Sequence, residues 1–123
     1  MLETFIEESA ARLTRISAEL EQLETDQTFD LEVVHALFRE THSLKGAANL
    51  VGIKAVERIA SKLEDILEQL RDETVQIDEG LIAILNAGYH RIGDLLDNPQ
   101  VLTLIDGVRE TESIDRLLAL RRK

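Results

Sequence analysis

With no cysteine in the 123 residues, the three histidines His35, His42 and His90 are the foremost candidates for nucleophilic chemistry. A histidine side chain is largely neutral at neutral pH, and its ring nitrogen can attack an electrophile such as phosphorus. His42 stands out by its neighbours in Thr41-His42-Ser43-Leu44-Lys45-Gly46-Ala47-Ala48-Asn49-Leu50-Val51-Gly52. At ~100° per residue, Thr41, Leu44 and Ala48 cluster with Val34 and Leu37 on one side of a helix. His42, His35, Gly46 and Asn49 share another side, so His42 is expected at the edge of the core and open to solvent. A glycine inside a helix costs ~1 kcal/mol relative to alanine. At Gly46 that cost leaves bare backbone beside the imidazole, where a partner protein could approach closely. Lys45 brings a mobile positive charge to the ring, useful if an anion such as a phosphoryl group visits it.

Helices must position these groups. Leu2, Phe5, Ile6, Leu13, Ile16, Leu20 and Leu23 recur at threes and fours, which predicts a first helix over 2–24, with Thr4 and Glu7 placed for a capping box. A second is expected over 31–50, N-capped by Thr28 or Asp30 and stopped by Gly52. A third, over 53–72, follows at once, so the pair should form an antiparallel hairpin. Counting back from the turn, residues near position 62 fall level with His42, and Ser61 and Glu64 are the polar candidates there. A carboxylate accepting the Nδ1 proton would fix the tautomer and leave Nε2 the better nucleophile. A fourth helix is expected over 79–97, capped by Asp78 and ended by Asn98-Pro99. A last one is expected over 112–121, capped by Thr111. The fold class is all-α: a single domain built as an antiparallel up-down four-helix bundle with an additional C-terminal helix.

Composition narrows the function. The net charge of −10 argues against nucleic acid and against an anionic membrane as partners. The absence of cysteine excludes disulfides and thiolate chemistry. No apolar run approaches a membrane span, and the acidic start MLETFIEES lacks the features of a signal peptide, so a cytoplasmic location is expected. His35 and His42 are too far apart on a helix to share a metal. Glu32-Val33-Val34-His35 is an isolated Glu-x-x-His, so no metal site is expected. His90 has no paired ligand and is expected to have no role. No Gly-rich phosphate loop or Mg-binding motif is present, so the domain should bind no ATP or other cofactor itself.

His42, Lys45, Gly46 and Gly52 match the H-x-x-K-G-x-x-x-x-x-G signature of histidine phosphotransfer (HPt) domains. Phe38-Arg39-Glu40-Thr41 and Leu63-Glu64-Asp65 fit the same pattern, and the chain most resembles the N-terminal phosphotransfer domain of chemotaxis-type (CheA-like) histidine kinases. The resemblance implies that His42 Nε2 takes phosphoryl from ATP, held with Mg by a kinase ATP-binding domain on the same or another chain. It implies donation from there to an Asp of a response-regulator receiver. Glu64 corresponds to the acid that orients the histidine and Lys45 to the cation near the phosphoryl group. Gly46, Ser61, Arg39, Asn49 and His35 would line the partner-docking face. Ser61 departs from the pattern, because relatives commonly carry a second histidine there. The parent would be a CheA-like, or hybrid, kinase, or else a free-standing carrier; the isolated domain would be monomeric. The competing reading is a helical module that binds a receiver or kinase without phosphotransfer.

Overall fold

The computed structural model describes residues 1–26 and 30–121. Six helices follow one another: α1 (Leu2–Asp26), α2 (Leu31–Val51), α3 (Lys54–Arg71), α4 (Glu79–Leu96), the single turn α5 (Pro99–Leu102) and α6 (Val108–Arg121). No strand occurs among the described residues. The all-α class and the bundle are as the apolar spacing predicts. Four helices pack in a ring: α1 on α2, α2 on α3, α3 on α4 and α4 back on α1, with α6 laid across α3 and α4.

Local chemistry sets the helix ends. The Asp30 carboxylate accepts from the Glu32 amide and caps α2; Thr28, the other expected cap, lies outside the described residues. Gly52 ends α2 in the left-handed region (φ 77°), and the amides of Gly52 and Ile53 return to the carbonyls of Asn49 and Ala48. A side chain would strain that conformation, which glycine adopts freely. With α3 starting at Lys54, the connection is two residues long and α2 and α3 lie antiparallel. Asp78 caps α4 through the Leu81 amide.

The last helix departs from expectation. It starts at Val108, not 112, because the Asp106 carboxylate accepts from the Val108 amide and caps the helix four residues earlier. Thr111 is not a cap; it sits in the first turn and its hydroxyl donates to the Val108 carbonyl. The Thr4–Glu7 capping box is also absent from the side-chain hydrogen bonds, since α1 already begins at Leu2 and the Phe5 amide bonds back to Met1.

The core is aliphatic, running through Ile16, Leu20, Leu37, Leu44, Ile59, Leu63, Leu67, Leu70 and Leu85. One buried polar link crosses it: the Thr41 hydroxyl donates to the Leu37 carbonyl and is hydrogen-bonded to Tyr89 on α4. That link fixes the rotation of α2 one residue before His42. Burial raises the Tyr89 hydroxyl's pKa far above its ordinary value, so it stays protonated. In α6, by contrast, Ile114 is the one buried side chain. Ion pairs hold this helix to the bundle: Lys62–Asp115 (2.8 Å), Arg91–Glu110 (2.9 Å) and Arg121–Asp78.

Candidate functional site

The outer seam between α2 and α3 gathers the chemistry. Val34, Leu37, Thr41, Leu44 and Ala48 turn inward, as their spacing requires. His42 lies a quarter turn away from that stripe, with 64% of its side chain exposed. Its Nδ1 is 2.7 Å from Glu64 Oε2, and Lys45 Nζ donates to Glu64 Oε1 at 2.8 Å. One carboxylate thus spans both partners, using one oxygen for each.

Glu64 is itself nearly buried, with 12% of its side chain exposed. Burial alone would push its carboxyl up. The hydrogen bonds from Lys45 and His42 outweigh burial and hold it below its ordinary value. Glu64 is therefore ionised at neutral pH and can only accept. It follows that the His42 proton sits on Nδ1, and Nε2, across the ring from Glu64, keeps its lone pair. An exposed, oriented imidazole of this kind can form a bond to an electrophile in solvent.

Gly46, one turn beyond His42, has open space around it; a Cβ built there meets nothing within 4 Å. Asn49 is exposed, and its amide donates to Glu57 across the seam. Arg39 is exposed, His35 is half-buried two turns before His42, and Ser61 is half-buried one turn before Glu64. Neither Ser61 nor His35 hydrogen-bonds His42 or Glu64 among the described residues. His90 lies on α4 with its Nδ1 3.4 Å from Asp94, away from the seam. Among the described residues no cluster of three or more potential ligands could hold a metal, and no helix is long and apolar enough to cross a membrane.

Two further side chains extend the seam beside His42, and neither is given a role by the sequence alone. The Phe38 ring, one turn earlier on α2, lies parallel to the imidazole (5° between planes, centroids 6.3 Å apart). The guanidinium of Arg71, the last residue of α3, sits 4.6 Å from the centre of the Phe38 ring. The i, i+4 spacing of Phe38 and His42 was the available signal for the first.

A family model described as "Hpt domain" matches residues 1–111. The chain is 33% identical over 106 residues to the chemotaxis protein CheA of Bacillus subtilis, covering 86% of this chain and 15% of that protein. It is 32% identical over 85 residues to the chemotaxis protein CheA of Listeria monocytogenes, covering 69% of this chain and 14% of that protein. It therefore spans a small fraction of the length of the curated relatives it matches. In fold, it is similar to the phosphorylated P1 domain of CheA3 from R. sphaeroides, solved in complex with CheY6. The TM-score is 0.79 at 23% identity, covering 96% of this chain and 92% of that one.

Proposed function

The chain belongs to the Hpt domain family, and on that premise we propose that His42 carries a phosphoryl group from a kinase to a receiver domain. The observation that carries this reading is the pairing of an exposed His42 with an ionised, nearly buried Glu64 at 2.7 Å. In the first step, the Nε2 lone pair attacks the γ-phosphorus of ATP held with Mg on a kinase ATP-binding domain. The bond from that phosphorus to the bridging oxygen breaks, and ADP leaves with the electron pair. The imidazole gains a positive charge, and its Nδ1 proton stays on the ring, donated in a hydrogen bond to the Glu64 carboxylate, which was negative beforehand and needs no rearrangement. In the second step, a carboxylate oxygen of a receiver Asp attacks phosphorus. The P–N bond breaks, and its electrons return to Nε2.

Lys45 supports the same reading. It rests on Glu64 Oε1, beside the Oε2 that His42 contacts, and its flexible stem lets the ammonium reach a phosphoryl group once one is present. Gly46 leaves the approach open. Arg39, His35, Asn49 and Ser61 flank that approach as the docking rim. The domain is the phosphotransfer part of a CheA-like kinase, acting in the cytoplasm. That its relatives are named as chemotaxis proteins supports taxis signalling as its output.

Incubation with a CheA-type kinase catalytic domain and γ-labelled ATP tests this. Wild type should acquire an acid-labile, alkali-stable label that chases onto a receiver, and His42→Gln should acquire none. Label on His42→Gln would overturn the assignment. A wild type left unlabelled by a kinase that labels another Hpt domain would favour the pure interaction module.

A further inference from the structure

Glu64 fixes where His42 Nδ1 points, but one hydrogen bond leaves the ring free to pivot about the N···O line, and the second side-chain torsion of histidine is intrinsically broad. The parallel Phe38 ring supplies the missing restraint. Its plane is within 5° of the imidazole plane, and its centroid, 6.3 Å away, lies within the range of offset-stacked aromatic pairs. Phe38 is only half-buried and would move if nothing held it. Arg71 holds it, with the guanidinium 4.6 Å from the ring centre, inside the distance at which a cation is drawn to an aromatic face. Arg71 is in turn braced by Asp72 at 3.6 Å and Glu68 at 3.8 Å. A row of groups thus runs along the seam from the end of α3 to the reactive ring.

We propose that Phe38, clamped by Arg71, is a positioning residue for His42: it keeps the imidazole in the orientation that holds Nδ1 on Glu64 and Nε2 toward solvent. This rests on the reading of His42 as the phosphoacceptor for its consequence, but not for its geometry. A ring free to pivot spends part of its time off Glu64, the two neutral tautomers mix, and Nε2 loses its standing as the sole nucleophile.

The experiment uses the whole chain with 15N-labelled histidine, without any partner. Ring-nitrogen spectra of wild type should show His42 protonated at Nδ1. Phe38→Leu should shift it toward a mixture of tautomers, and Phe38→Tyr should restore the wild-type pattern. In parallel, potassium phosphoramidate serves as a donor that needs no kinase. His42 Nε2 bonds to its phosphorus, the P–N bond breaks and ammonia leaves. Here Phe38→Leu should react about three- to tenfold more slowly, the scale set by the free energy of one aromatic pair, and should give some Nδ1 product; Phe38→Tyr should recover the rate. Arg71→Gln should show part of each change. A folded Phe38→Leu with wild-type ring nitrogens and wild-type rate overturns the proposal. If Phe38→Leu does not fold, a wild-type signature in Arg71→Gln overturns it instead. If no donor phosphorylates any variant, the phosphoacceptor reading fails, while the ring-nitrogen spectra still judge Phe38.

Discussion

Leu63 and Glu64 are consecutive on α3, yet they serve two different regions. Leu63 turns inward against Gly88 of α4; Glu64 turns outward to His42 and Lys45 of α2. Each region contains a glycine in mid-helix, and the two glycines have different reasons to be there. A Cβ on Gly88 would fall 2.5 Å from Leu63 Cδ2, and Leu63 is fully buried. A Cβ on Gly46 would meet nothing within 4 Å. The core requires one glycine, because α4 must come close to α3. The fold does not require the other, whose helix cost of ~1 kcal/mol therefore answers to something outside the molecule.

The largest effect expected from this contrast is on transfer. Gly46→Leu should fold as wild type and slow phosphoryl transfer to a receiver by about tenfold or more, equivalent to about 1.4 kcal/mol of blocked contact. Equal transfer rates would remove Gly46 from docking. Next comes stability. Gly88→Ala forces methyl against Leu63; overpacking costs about 1–3 kcal/mol, more than alanine's helix preference of ~1 kcal/mol returns. Urea unfolding should show a net loss of about 1 kcal/mol. The same exchange at position 46 should have the opposite sign: Gly46→Ala should gain up to ~1 kcal/mol. Two curves displaced in the same direction would break the comparison.

A smaller effect depends on pH. The Glu64 carboxyl titrates lower in the folded chain than its ordinary 4.5, so the stability it contributes is complete above that value and is lost as pH falls through the depressed one. The stability difference between wild type and Glu64→Gln should be flat at neutral pH and shrink below about 4.5. A difference that persists in acid would mean that shape, and not charge, is what Glu64 supplies.

Much of the seam was legible in the sequence. Helical spacing placed His42 off the core, and the shortness of the turn at Gly52 set the register that brought Glu64 level with it. Phe38 and Arg71 were legible by the same register, which sets Arg71 opposite Phe38 much as it sets Glu64 opposite Lys45. Their pairing went unread because a phenylalanine in an apolar stripe looks like core and an arginine at a helix end looks like solvated charge. The start of α6 was misread for a different reason. A threonine and an aspartate five residues apart either side of Gly107 are both capping residue types, and only the left-handed turn at Gly107 (φ 85°), packed tightly against Ala55, decides for Asp106. Ser61 has no hydrogen bond to the site, so a histidine's absence there leaves the Glu64 pairing intact.

The two-residue turn at Gly52 and Ile53 also governs the order of assembly. His42 and Glu64 are 22 residues apart along the chain, whereas the Thr41–Tyr89 link to α4 spans 48. Closing the shorter loop costs less entropy, and near-neighbour contacts form soonest. The hairpin that carries the reactive ring is thus expected to be the nucleus, with α1, α4 and α6 condensing upon it. Stopped-flow kinetics would register this as a slower refolding limb for Ala48→Gly and a faster unfolding limb alone for Ile114→Val. The reactive pair would then be in register while the rest of the chain is still searching.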